Sequence, residues 1–121
     1  MPQPRILIIE DNLSLRRLYN KVLRRANVEI IEAESVAHAK KIIENQSFAL
    51  VISDVELQDG ETFHIIQQCS EAGTPVIAIS AYENYRGKCI EAGAKHFLAK
   101  PFPTRHLSTL IETYAEQPPD D

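Results

Sequence analysis

At 121 residues, with 44% hydrophobic and 25% charged residues, the chain has the size and composition of one ordinary globular domain. That excludes a disordered segment and a disulfide scaffold, since Cys69 and Cys89 lack CxxC spacing and read as reduced, packed thiols. A net charge of −4 argues against direct nucleic-acid binding by this domain.

The longest apolar run, Phe48 to Ile52, is five residues long, and Ile6 to Ile9 is four. A bilayer span needs roughly 20. The start of the chain, "MPQPRILIIED", has no charged region followed by an apolar stretch of signal-peptide length, so a cytoplasmic location is expected.

In chain order, "RILIIED" (5–11) predicts a first strand, and Leu15, Leu18, Val22 and Leu23 give the helix after it an apolar stripe. "EIIEAES" (29–35) predicts a second strand, followed by a helix carrying Val36, Ala39, Ile42 and Ile43 with Ser35 as its N-cap. "FALVISD" (48–54) is the third strand, and Phe63, Ile65, Ile66 and Cys69 mark the third helix, which Gly73 stops. "TPVIAIS" (74–80) is the fourth strand; a weaker helix follows over about 85–92 and ends at Gly93. "KHFLAK" (95–100) is the fifth, before a helix over about 104–115 with Leu107, Leu110, Ile111 and Tyr114, capped by Thr104. The closing "EQPPDD" cannot continue a helix, so residues 117–121 read as a tail or the start of a linker after a core of about 5–116.

Strand and helix alternate five times, and three of the strands are almost continuously apolar, the pattern of strands covered on both faces. The expectation is a three-layer α/β/α single domain over 1–121, with a five-stranded parallel sheet built by right-handed crossovers. In such sheets ligands bind beyond the carboxyl ends of the strands. There the first strand delivers Glu10 and Asp11, the third Asp54, the fourth Ser80 and the fifth Lys100. In the order 2-1-3-4-5, strands one and three are neighbours about 4.8 Å apart, which brings the acids together. Glu10 and Asp11 can both face the pocket only if the strand has already broken into a loop.

Three carboxylates within a few ångströms repel by roughly 4 kcal/mol per pair at 4 Å with an effective dielectric near 20. A hard cation with oxygen ligands, Mg²⁺, answers that repulsion and holds Asp54 ionised. A positioned carboxylate can attack phosphorus to give an aspartyl phosphate, with Ser80 as hydroxyl donor and Lys100 as point charge to the phosphoryl oxygens.

Over about residues 5–116 the chain resembles the receiver domain of two-component response regulators, on "ILIIEDN", "LVISDVEL", "VIAISA" and "FLAKPF" in that order. The resemblance implies a flavodoxin-like (βα)5 fold and a phosphorylation-controlled switch. In it Asp54 is the phosphoacceptor, and Mg²⁺ is held by Glu10, Asp11, Asp54 and the backbone carbonyl of Glu56. Ser80 is the switch hydroxyl, Lys100 pairs with the phosphate, Phe97 is the switch aromatic that rotates inward, and Pro101 follows a cis peptide bond. Glu56 and Tyr82 stand at the positions that tune how fast the phosphoryl group is hydrolysed. The loop after Asp54 departs from the family, with Gln58 where a proline is usual and Thr62 where a glycine is usual; Gly60 is retained.

Implied partners are a histidine kinase or histidine phosphotransfer protein, and a downstream protein or fused output domain reached through the fourth helix, fifth strand and fifth helix. The first helix carries Arg16, Arg17, Lys21, Arg24 and Arg25 around its apolar stripe, either as a solvated face or as the kinase-docking face, which an exposed Tyr19 would support. His38, His64, His96 and His106 lack metal-ligand spacing and read as ordinary surface or boundary residues. Two other functions are weighed: an aspartyl-phosphate-forming phosphatase of the haloacid-dehalogenase kind, which would use Glu56 as acid/base but lacks a cap insertion, and a non-phosphorylated pseudo-receiver. Apart from transferring a phosphoryl group to itself and slowly losing it, the chain is not expected to be an enzyme.

Overall fold

A computed structural model describes residues 3–115; the expected tail over 117–121 lies outside the described residues. The elements are β1 (Arg5–Ile9), α1 (Leu13–Leu23), β2 (Glu29–Ala33), α2 (Val36–Asn45), β3 (Leu50–Asp54), β4 (Glu56–Leu57), β5 (Gly60–Glu61), α3 (Phe63–Glu71), β6 (Val76–Ser80), a 3-10 turn (Glu83–Tyr85), α4 (Arg86–Ala92), β7 (His96–Ala99) and α5 (Thr104–Ala115). Five parallel strands form one sheet in the order β2-β1-β3-β6-β7, which among the long strands is the expected 2-1-3-4-5. The two-residue strands β4 and β5, absent from the sequence reading, make a small antiparallel ladder in the loop after Asp54.

Alternation along the strands divides the core into two layers. Leu7, Ile9, Val51, Val76, Ala78 and Phe97 face one side and pack with α2, α3 and α4 residues such as Ala39, Ile66 and Cys89. Ile6, Ile8, Leu50, Ile52, Ile77 and Ile79 face the other and meet Tyr19 and Leu23 of α1 and Leu107 and Ile111 of α5. Each such aliphatic side chain contributes about 1.5–3 kcal/mol on burial, which fixes the strand ends that carry the polar residues.

Helix α1 is rotated relative to the expected stripe. Leu18 is 40% exposed, whereas Tyr19 is 3% exposed and stacks on Phe102 with ring centroids 6.4 Å apart. The inward positions are thus Leu15, Tyr19, Val22 and Leu23, a helical i, i+4, i+7, i+8 set, and Tyr19 offers no docking surface. Arg16 also belongs to the fold rather than to a free basic face: it pairs with Glu32 at 3.0 Å and donates to the Glu10 carbonyl at 3.0 Å.

Ser35 caps α2 by accepting from the His38 N–H at 3.0 Å, as expected. Helix α5 begins at Thr104 itself, so this residue is the first of the helix and not its cap. Gly93 ends α4 at φ 114°, and a Cβ there would collide with the Ser70 side chain, so glycine permits both the turn and the close approach of α3 to α4. Cys69 and Cys89 are free and buried, with burial pushing both thiols up to about 11.

Candidate functional site

Strand register brings the polar residues to one level. Ile9 pairs with Ser53, Asp54 with Ile79, and Ser80 with Ala99, so Glu10, Asp54, Ser80 and Lys100 all emerge at the carboxyl edge. β1 ends at Ile9, and the break into a loop that the acid pair required is present. Asn12 caps α1 immediately afterwards, its side chain accepting from the Leu15 N–H at 3.0 Å.

One carboxylate oxygen from each of Glu10, Asp11 and Asp54 lies within 4.8 Å of the other two. Glu10 is 1% exposed and Asp54 5% exposed. Lys100 Nζ donates to Asp54 Oδ2 at 2.9 Å and reaches Glu10 Oε1 at 3.5 Å, its stem spanning the two strand spacings from β7 to β3. Asp54 Oδ1 is buried and has no hydrogen-bond partner. A buried carboxylate oxygen without a donor calls for one, and an all-oxygen trio of acids fits a hard divalent cation.

The charges are strongly biased by this crowding. Burial, then the neighbouring charge of Asp54, raises Glu10 to about 8, and Lys100 offsets this only in part. Burial works against the Lys100 ammonium, but its hydrogen bond to Asp54 and the charges of Asp54 and Glu10 outweigh that and raise its pKa.

Glu56 has its side chain on Ser80: Ser80 Oγ donates to Glu56 Oε1 at 2.5 Å and accepts from the Tyr82 N–H at 2.9 Å. Burial raises the Glu56 pKa, the Ser80 hydrogen bond opposing it. Phe97 is 6% exposed and already inward, packed in the α2–α3–α4 layer beneath the Arg86 guanidinium, 4.8 Å from its ring centre. The expected inward rotation has no outward starting point here. Tyr82 is 57% exposed and lies edge-to-face on Tyr85, with ring centroids 5.8 Å apart. The Lys100–Pro101 peptide is cis.

The four histidines stay apart from the acids. His96 meets the Tyr114 hydroxyl at 2.9 Å, and the other three are exposed. Other participants were not singled out from sequence. Thr62, fully buried, donates through Oγ1 to the Asp54 carbonyl at 3.0 Å, and the Ser53 hydroxyl lies 2.8 Å from the same carbonyl and 3.1 Å from Thr62 Oγ1. The Gln58 N–H donates to Asp11 Oδ2 at 3.0 Å, a bond proline could not make. Asp59 accepts from the Val36 and Ala37 N–H groups at 2.9 and 3.1 Å, tying the loop tip to the start of α2. The only available sign was the departure at 58 and 62.

Residues 6–112 match the family described as the response regulator receiver domain. The chain belongs to that family. Among curated relatives, the receiver is 31% identical over 113 residues to the sensory transduction protein LytR of Streptococcus agalactiae, covering 88% of this chain and 46% of that protein. It is 30% identical over 117 residues to the response regulator protein PilR of Pseudomonas aeruginosa, covering 93% of this chain and 26% of that one. The chain therefore spans less than half the length of these relatives. In three dimensions it is similar to the signal receiver domain of a putative Luxo repressor protein from Vibrio parahaemolyticus, with TM-score 0.84, 26% identity, and 94% and 91% of the two chains covered. The fold is also that of the response regulator TrrA from Thermotoga maritima, solved in complex with Mg(2+)-BeF, with TM-score 0.82, 24% identity, and 92% and 98% covered.

Proposed function

We propose that this receiver is a phosphorylation-controlled signalling switch that takes a phosphoryl group from the phosphohistidine of a kinase or phosphotransfer protein onto Asp54. The observation that carries the reading is the divided environment of one buried carboxylate. Asp54 Oδ2 is held by Lys100 at 2.9 Å, while Oδ1 is buried without a hydrogen-bond donor. One oxygen is thus oriented by a fixed cation and the other is left to attack phosphorus. The transfer breaks the N–P bond of the phosphohistidine and forms an O–P bond to Asp54. Lys100 then faces the phosphoryl oxygens, and Ser80, fully buried one strand away, is the hydroxyl that can turn to them.

Glu10, Asp11 and Asp54, with the Glu56 carbonyl, would hold Mg²⁺, which supplies charge neutralisation of the phosphoryl oxygens when bound. Thr62 and Ser53 fix the main chain of Asp54 through its carbonyl. The chain turns over only its own phosphoryl group, with Glu56 and Tyr82 setting the lifetime. Output runs through the face of α4, β7 and α5, where a cavity of about 480 Å³ is lined by Arg86, Ile90, Phe97, Leu98, His106 and Leu110. No helix among the described residues is long and apolar enough to cross a membrane, in keeping with a cytoplasmic role.

The test is addition of acetyl phosphate or beryllofluoride in Mg²⁺, read by amide NMR shifts at residues around Ser80 and Phe97, with Asp54→Asn as control. A Mg²⁺-dependent response in the natural chain and none in the variant is expected. No response would overturn the reading, and rapid turnover of a phosphate ester would favour a phosphatase.

A further inference from the structure

The hydroxyl of Ser80 has one proton, and the fold gives it to Glu56. Both hydrogen-bonding roles of Ser80 Oγ are filled: it donates to Glu56 Oε1 at 2.5 Å and accepts from the Tyr82 N–H at 2.9 Å. A separation of 2.5 Å lies at the short end for a hydroxyl on a carboxylate, the stronger kind of hydrogen bond. The arrangement has a second point of attachment. Glu56 stands opposite Glu61 across the β4–β5 ladder, and Glu61 Oε2 accepts from the Tyr85 hydroxyl at 2.9 Å. The small hairpin therefore grips the end of β6 at Ser80 and the segment after it at Tyr85, and between these points the Tyr82 ring rests edge-to-face on Tyr85.

We infer that Glu56 is a positioning residue whose carboxylate latches the Ser80 hydroxyl and competes with a phosphoryl group on Asp54 for its single proton, with Glu61 and Tyr85 as a second clasp. The inference rests on the phosphoacceptor reading of Asp54 and adds what the resting chain must give up. Ser80 can donate to a phosphoryl oxygen only after leaving Glu56, so the side chain of the last β6 residue is released as the phosphoryl group is bound. No covalent bond changes in this step; one hydroxyl proton exchanges one acceptor oxygen for another.

The test is beryllofluoride titration in Mg²⁺ of four proteins: the natural chain, Glu56→Ala, Ser80→Ala and the double variant. Loss of a charge-assisted competitor predicts about 10-fold tighter binding by Glu56→Ala. Glu56→Gln, neutral and of equal size, should fall between. In the Ser80→Ala background the gain should vanish; an equal gain there would reduce Glu56 to simple charge repulsion and overturn the latch. The metal-free natural chain should also show a slowly exchanging Ser80 hydroxyl proton by NMR that Glu56→Ala loses, and its absence in the natural chain would overturn the latch contact directly. If the natural chain binds no beryllofluoride, the Asp54 reading falls and the competition with it, a result distinct from binding that proves indifferent to Ser80.

Discussion

One ammonium serves two buried carboxylates: Lys100 Nζ lies 2.9 Å from Asp54 Oδ2 and 3.5 Å from Glu10 Oε1. Removing it leaves both acids facing each other without a cation. In Lys100→Met the metal-free protein should lose about 2 kcal/mol of stability at pH 8, since breaking a buried pair strands the remaining charges. Mg²⁺ should restore most of that loss. Urea denaturation with and without MgCl₂ measures both quantities, and a variant as stable as the parent without metal would contradict the shared role.

The raised pKa of Glu10 gives the metal-free protein a definite pH dependence. In the unfolded chain this carboxyl titrates near 4.5, and in the folded chain near 8, so between these values the folded state holds the extra proton. The stability it contributes is full below about pH 4.5 and is lost as pH rises toward 8. The difference between the natural chain and Glu10→Gln, followed by denaturation across that window, should therefore shift in favour of the variant as pH rises.

Much of the fold was legible because period-2 and period-3.6 apolar patterns are properties of the sequence itself. The five long strands followed from those patterns, and their order, which brings Glu10, Asp11, Asp54, Ser80 and Lys100 to one edge, from the resemblance to receiver domains. What escaped were choices made by neighbours. Leu18 and Tyr19 both fit a helical stripe, and stacking on Phe102 selects the tyrosine. The β4–β5 ladder is too short for any periodicity, yet it delivers the Glu56 side chain to Ser80. Phe97 could be placed on a strand but not turned inward or outward, because its cover comes from Arg86, eleven residues earlier.

The rotation of α1 has a direct thermodynamic signature. Tyr19→Ala empties a fully packed site and should cost about 3 kcal/mol, as truncation of large buried aromatics does. Leu18→Ala, on the exposed side, should cost less than about 1 kcal/mol. Chemical denaturation of the two variants distinguishes this packing from one with Leu18 inward, which would reverse the order.

Two glycines of similar backbone geometry should respond differently. Gly73 has φ 81° with nothing near its would-be Cβ, whereas Gly93 has φ 114° and the Ser70 side chain in that space. Gly73→Ala carries the backbone strain alone, about 1 kcal/mol. Gly93→Ala adds a steric clash between α3 and α4 and should be destabilising by at least twice as much, in thermal melts of the metal-free protein.

The pair Gln58–Asp59 makes the tip of the loop after Asp54 a fastener with two ends, one N–H on Asp11 and one carboxylate on the start of α2. Loop exchange between receivers is therefore not neutral in this chain. A transplanted loop with proline at position 58 arrives without the donor that Asp11 uses, and one without an acid at 59 leaves two amide groups of α2 to water. A chimera built at this loop would inherit its donor's sequence but not this domain's attachment of Asp11 to the neighbouring helix.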